Sequence, residues 1–302
     1  MDGQRSHMFG NVLIGVDGRP GGRDAIALAR GLADPGARVN LAHVYVGASP
    51  GGVGRRLVHT SDHGWREGSL RLLEAERDTA GVDAGVIAVA ARSVGHGLHR
   101  LADDTLADLL VVGSSAQGRP GRVLVDADVL ASFNGARCAV GIAPRSTAAG
   151  PTVVGKVGVG YDFTDEGHVA ALVGRRIADR HDARLSALHV VAVPDGASAL
   201  PTPGGRREAL ENSLRLVSER VRAIEHIEAA AVHGAPAEEL EAFAGRVDLL
   251  VVGSGSYGPP GRLVLGRIAR RLARLATCSL VLVPRAGTVA DDGQPAPTAP
   301  LL

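Results

Sequence analysis

The stretch "DLLVVGSGSYGPPGRLVLGRIARRL", Asp248 to Leu272, joins an apolar run to a glycine-rich turn and then to a basic, amphipathic segment. Glycine has no Cβ, so glycines clustered after a short apolar run mark a place where the backbone turns sharply or approaches something closely. A second stretch, "DLLVVGSSAQGRPGRVLVDADVLAS" from Asp108 to Ser132, copies the first imperfectly. A chain that holds both is searched for repeats before anything else.

The copying runs through most of the chain. "LIGVDGRPGGRDAIALA" (Leu13 to Ala29) matches "GVGYDFTDEGHVAALVG" (Gly158 to Gly174), with Asp17 falling on Asp162. "LAHVYV" (Leu41 to Val46) matches "ALHVVAV" (Ala187 to Val193), with His43 on His189, and "ARCAVGIAPR" (Ala136 to Arg145) matches "ATCSLVLVPR" (Ala276 to Arg285). The offset, about 140 to 146 residues, is the size of a domain rather than of a solenoid repeat. The expected organisation is a first domain over 9–146, a second over 152–286 and a disordered tail over 287–302, with "APRSTAAGPT" (Ala143 to Thr152) as linker.

Each half alternates short apolar runs with helical patterns, the signature of a parallel sheet flanked by helices. In the second half the runs are Lys156–Gly160, Arg184–Val190, Ile227–Val232, Leu249–Val252 and Leu280–Val283. They are continuous rather than alternating, as strands covered on both faces require. Helices are expected over Glu166–Arg180, with Val169, Leu172, Val173 and Ile177 on one face, over Arg206–Ile224 and over Pro236–Ala244. The fold class is therefore α/β: two tandem open five-stranded parallel sheets, each with four helices.

Composition bounds the function. The 302 residues are 45% apolar but only 3% aromatic, so the cores are built from Val, Leu, Ile and Ala. A formal charge of +1 argues against a nucleic-acid partner. No run approaches the roughly 18 apolar residues of a membrane span. "MDGQRSHMFG" lacks the apolar core of a secretory signal. Two cysteines, Cys138 and Cys278, are too few for a disulfide framework and lack zinc spacing, so a reduced, cytoplasmic setting is expected.

In an open parallel sheet, ligands sit beyond the carboxyl ends of the strands, where the connection order reverses. If the first and fourth strands are neighbours, an aspartate (Asp17 or Asp162) meets the glycine loop there in each half. Free N–H groups leading into a helix start favour an anion, and an acid opposite accepts hydrogen bonds from ribose hydroxyls or a base. That pairing reads as a nucleotide site.

These residues resemble the universal stress protein family in its tandem, two-domain form. The resemblance rests on Ile14-Gly15-Val16-Asp17 and Val159-Gly160-Tyr161-Asp162, on the second strand, on "DLLVVGS", on the Cys-to-Pro final strand and on the loop. It implies a Rossmann-like fold and an ATP site, with adenine near the first and second strands, at Val190, and phosphates on the loop. The family pattern is glycine, two residues, glycine, nine residues, then glycine followed by Ser or Thr. Carried over, it selects Asp162, Gly253, Ser254, Gly255, Ser256, Gly258, Gly266, Arg267 and Ile268, with Asp17 and Gly113 their first-half counterparts. Ser256 and Arg267 depart from the pattern. Arg267 would either grip phosphate bidentately or fold over the pocket and fill it.

The first half departs further, with Ala116, Asp126 and Ala127 at those positions. A carboxylate at Asp126 would cap the following helix and repel a triphosphate. This half is expected to keep the fold and to have lost or altered the ligand.

Plainer readings compete. Asp17 and Asp162 would serve equally as helix caps. His59 with His63, and His96 with His99, have helical spacing but no third ligand, which makes them surface or loop histidines. Cys138 and Cys278 read as small buried residues. No catalytic constellation is present in the sequence, so a non-enzymatic protein is expected, the alternative to nucleotide binding being a ligand-free interaction module. The final strands, Ala139–Ile142 and Leu280–Val283, would be apolar edges that demand pairing, either with one another inside the chain or in a homodimer.

Overall fold

The computed structural model describes residues 8–46, 58–115, 117–145, 153–192, 203–221, 224, 226–255 and 261–285. Ala116, Ser256, Gly258, most of the linker and the tail over 287–302 lie outside the described residues.

The first half runs β1 (Asn11–Gly15), α1 (Pro20–Leu32), β2 (Arg38–Val46), α2 (Val58–Ala80), β3 (Gly85–Ala91), α3 (Val94–Asp104), β4 (Leu109–Gly113), α4 (Ala127–Ser132) and β5 (Ala139–Ala143). The second half repeats it as β6 (Lys156–Gly160), α5 (Asp165–His181), β7 (Arg184–Ala192), α6 (Pro203–Arg220), β8 (Ile227–Gly234), α7 (Pro236–Ala244), β9 (Leu249–Gly253), α8 (Arg267–Leu275) and β10 (Ser279–Val283). Within each half every strand pair is parallel, and β1 pairs with both β2 and β4, as β6 does with β7 and β9. The first and fourth strands are thus neighbours, and the sheet order reverses between them.

The "LLVV" runs show why a continuous apolar strand is needed. Successive side chains point to opposite faces. Leu109 and Val111, like Leu249 and Val251, join the core under α1, α2, α5 and α6. Leu110 and Val112, like Leu250 and Val252, join the core under α3, α4, α7 and α8. The aspartate before each run has a separate structural duty. Asp108 accepts hydrogen bonds from the Gly10 and Asn11 amides at 2.9–3.1 Å, and Asp248 accepts from those of Gly155 and Lys156 at 2.8 and 2.9 Å. Each clamps the start of its half's first strand.

The expected apolar edges pair with each other. β5 and β10 run antiparallel, with Leu280 opposite Ile142 and Leu282 opposite Val140, and the two sheets merge into one of ten strands ordered β3-β2-β1-β4-β5-β10-β9-β6-β7-β8. Segments after the two glycine loops cross this seam. Val123 and Val125 donate to the carbonyls of Ala276 and Ala273 at 2.8 and 3.0 Å, while Leu263 donates to Ala136 at 2.8 Å and Leu265 to the Asn134 side chain at 2.9 Å. On the opposite face, Arg180 of α5 binds the Leu32 and Ala33 carbonyls and the Asp34 carboxylate, and His181 contacts the Gly31 carbonyl at 2.9 Å.

One expected helix face needs correction. In α5 the buried stripe is Ala170, Ala171, Val173, Gly174, Ile177 and Ala178. Leu172, placed on that face by the sequence, is 44% exposed. At 100° per residue it lies a quarter-turn or more from Val173, and the small residues on that side let the helix settle closer to the sheet.

Candidate functional site

Two clefts open at the carboxyl ends of the strands, one beside β1 and β4, the other beside β6 and β9. The second-half cleft has a volume of about 330 Å³ and is lined by Asp162, Val190, Gly253, Ser254, Gly255, Gly266, Arg267 and Ile268. The first-half cleft, about 410 Å³, is lined by Asp17 and Gly113 among others. Every described residue selected from the sequence therefore lines one of these clefts; Ser256 and Gly258 lie outside the described residues.

Asp162 stands just past β6, exposed to solvent. Its Oδ1 accepts from the Thr164 amide at 3.2 Å and from the Thr164 hydroxyl. Neither aspartate is the helix cap. Thr164 caps α5, its Oγ1 accepting from the Gly167 amide at 3.1 Å, and Asp162 braces that cap; Arg19 occupies the cap position of α1, and Asp17 accepts from its amide at 3.0 Å.

Among the described residues selected from the sequence, the first loop positions and the helix start differ in role. The Ser254 and Gly255 amides are engaged, donating to Val283 and Val264 carbonyls at 2.8 and 2.9 Å. Gly253 is a packing glycine: a Cβ there would sit 2.8 Å from the Glu166 carbonyl, on the first turn of α5. The unblocked surface is the start of α8. Gly266 is its cap residue, with no side-chain cap hydrogen bond and nothing within 4 Å of where a Cβ would stand. The first amides of a helix have no partner within it, so those of Arg267, Ile268 and Ala269 face the cleft with the positive end of the helix dipole.

Arg267 is exposed and lines the cleft, yet makes no ion pair with Asp162 among the described residues. The closure of the cleft by an Arg267–Asp162 ion pair is therefore not formed among the described residues. Ser254, 5% exposed, lines the same cleft, and its Oγ is buried with no hydrogen-bond partner. A buried hydroxyl left unpaired costs about 1–3 kcal/mol. Sequence reading includes Ser254 for position only; the unpaired hydroxyl is visible in three dimensions alone. Pro236 and Leu240 of α7 complete an apolar wall that the motif does not reach.

In the first half the corresponding hydroxyl is engaged. Ser114 Oγ donates to the Ala143 carbonyl at 2.7 Å and accepts from the Leu124 amide at 3.1 Å. Asp126 is the cap residue of α4 but makes no side-chain cap bond, contrary to the expected capping role; its carboxylate is exposed and lines the cleft. His43, unselected from sequence, also lines it, and burial lowers its pKa against an opposing pull from Asp17.

Other candidates fall away. His99 binds the Ser132 carbonyl at 2.6 Å and pairs with Asp103 at 3.7 Å, His63 and His96 are exposed, and the His59 side chain is outside the described residues. No group of three metal-ligating side chains exists among the described residues. Both thiols are buried, which pushes each up to about 12. No helix among the described residues is long and apolar enough to cross a membrane.

The profile of the universal stress protein family matches residues 8–132 and again 154–284. The chain belongs to that family. A universal stress protein encoded beside a sulfhydrylase in Thermus aquaticus is 30% identical over 128 residues, covering 41% of this chain and 93% of its own. Among solved structures, a universal stress protein from Archaeoglobus fulgidus shares 14% identity with a TM-score of 0.66, over 93% of this chain and 100% of its own, which shows the tandem fold. A universal stress protein in complex with cAMP is 24% identical over 43% of this chain and 97% of its own, with a TM-score of 0.33. The tandem family architecture agrees with the expected α/β class.

Proposed function

We propose that this family member binds an adenine nucleotide, ATP foremost, in the cleft of its second half, and acts by binding rather than by catalysis. One observation carries the reading: Asp162 and Arg267 line one cleft without pairing with each other among the described residues, and the start of α8, whose cap residue Gly266 makes no side-chain bond, lines it with them. An acid suits ribose hydroxyls, and a helix start with an arginine suits phosphate. Val190 supplies apolar surface for the base. A volume of about 330 Å³ lies within the usual range for small-molecule sites.

The proposal extends to a reducing, cytoplasmic setting, in keeping with two free buried thiols. Each final strand finds its partner inside the chain, so a homodimer would use another surface.

The second reading, a ligand-free interaction module, draws on the engaged Ser254 and Gly255 amides and on the loop's anchorage to the other half. Calorimetric titration of the full chain with ATP, ADP and cyclic AMP separates the two. Saturable heat with ATP that weakens in Asp162→Ala supports nucleotide binding. Silence at millimolar concentrations of all three leaves the interaction module.

A further inference from the structure

The first-half cleft, about 410 Å³ against about 330 Å³, is the larger of the two, yet its two ends carry different chemistry from its sibling's. At the base and ribose end the equipment is kept. Asp17 is 54% exposed in its side chain, with one oxygen on the Arg19 amide and the other 3.9 Å from the Arg19 guanidinium, too long for a firm pair. His43 lines the cavity beside it, and its Nδ1 is buried with no hydrogen-bond partner, whereas the matching His189 Nδ1 lies 2.9 Å from the Tyr161 carbonyl. The His43 imidazole thus lacks the backbone tie that holds its counterpart His189.

At the far end everything that would hold phosphate is reversed. Arg267 of the second half has Ala127 as its counterpart, and Gly266 has Asp126. The Asp126 carboxylate is exposed, makes no cap bond and lines the cavity. Its position is set by the seam: Val125 is tied to the Ala273 carbonyl at 3.0 Å, and the Asp126 carbonyl accepts from Leu130 at 2.9 Å. The hydroxyl that is unpaired in Ser254 is doubly engaged in Ser114.

We propose that the first-half cleft takes a nucleoside whose 5′ arm is uncharged or cationic, and rejects the phosphorylated form. This rests on reading the two clefts as sites for adenine compounds, and it assigns the two halves to different members of that class. Asp17 would hold the ribose, the His43 imidazole would supply a polar partner to the base side, and Asp126 would attract an amine and repel a phosphate. Burial keeps His43 neutral at pH 7, which leaves Arg19, also lining the cleft and 3.9 Å from Asp17, as the cation at the base end.

The test uses the full chain with 5′-amino-5′-deoxyadenosine, adenosine and AMP, titrated by calorimetry and by saturation-transfer NMR. The wild type is expected to prefer the aminonucleoside to AMP on the order of tenfold in this site, the ratio that one exposed like-charge contact supports. Asp126→Asn should bring the preference toward one, Asp126→Arg should invert it, and Asp17→Ala should weaken both ligands; circular dichroism checks that each variant is folded. The inference is overturned if the aminonucleoside does not bind, if its preference survives Asp126→Arg, or if Asp162→Ala rather than Asp17→Ala removes it. ATP binding that responds to Arg267→Ala is read separately, so failure in one half does not decide the other.

Discussion

Replacing Arg267 with alanine removes the guanidinium that lines the second-half cleft at the start of α8 while leaving the helix start intact, because alanine is the best helix former. The side chain is exposed and makes no ion pair among the described residues, so stability should change by less than about 0.5 kcal/mol. Its value to a bound nucleotide is bounded by two limits. Two unit charges about 4 Å apart in a water-like dielectric interact by about 1 kcal/mol, and a charge-assisted hydrogen bond contributes about 1.5–3 kcal/mol. Since the guanidinium sits at the rim, the lower part of that range applies: about 1–2 kcal/mol, or roughly 5- to 30-fold in affinity. The loss should follow the phosphate charge, greatest for ATP, smaller for cyclic AMP and absent for adenosine. Isothermal calorimetry at low and moderate salt reads this directly, and the difference between wild type and variant should shrink as salt rises. Equal weakening of ATP and adenosine would refute the reasoning, since Arg267 would then shape the pocket rather than meet the phosphates. So would no effect on ATP at all.

Two other predictions address the glycines and the buried acid. Gly253→Ala should destabilise by about 1–3 kcal/mol, because the new methyl would lie 2.8 Å from the Glu166 carbonyl, whereas Gly266→Ala, with nothing within 4 Å, should lose only the few tenths to about 1 kcal/mol that alanine costs at a cap position and weaken ATP binding. Equal effects of the two on stability would contradict the assignment of packing to one and cleft surface to the other. Burial pushes the Asp108 carboxyl from its ordinary 3.8 up to about 6, so the folded chain holds this proton more tightly than the unfolded one, and the group's contribution, complete below pH 3.8, is lost as pH rises through about 6. The full shift corresponds to about 3 kcal/mol, which half-burial and screening reduce to about 1 kcal/mol. Urea unfolding at pH 4.5 and 7.5 should show the wild type losing that much relative to Asp108→Asn; a gain, or no change, would reject it.

How much of this was legible in the sequence varies from element to element. The strands were readable because "LLVV" feeds two cores at once, a pattern that a half-exposed strand or a surface helix would not tolerate. The pairing of β5 with β10 followed from two apolar edges in need of cover. Leu172 was misplaced because an apolar side chain votes for burial in a periodicity count, while α5 in fact packs through alanines and glycines. The "GRVLVD" and "GRLVLG" stretches were read wholly as ligand loop, yet Val123, Val125, Leu263 and Leu265 bind the opposite half. No local pattern announces a contact to residues about 130 to 150 positions away. For the same reason, glycine looked like a phosphate cradle at Gly253, where it makes room for the first turn of α5, and a free hydroxyl at Ser254 could not be told from an engaged one at Ser114.

The most direct check is a crystal structure of the full chain grown with ATP. It is predicted to place the nucleotide between β6, β9 and the start of α8, ribose against Asp162 and phosphates against Gly266 and Arg267. A second-half cleft that stays vacant at saturating ATP, or a triphosphate seated against Asp126 in the first half, would contradict the account.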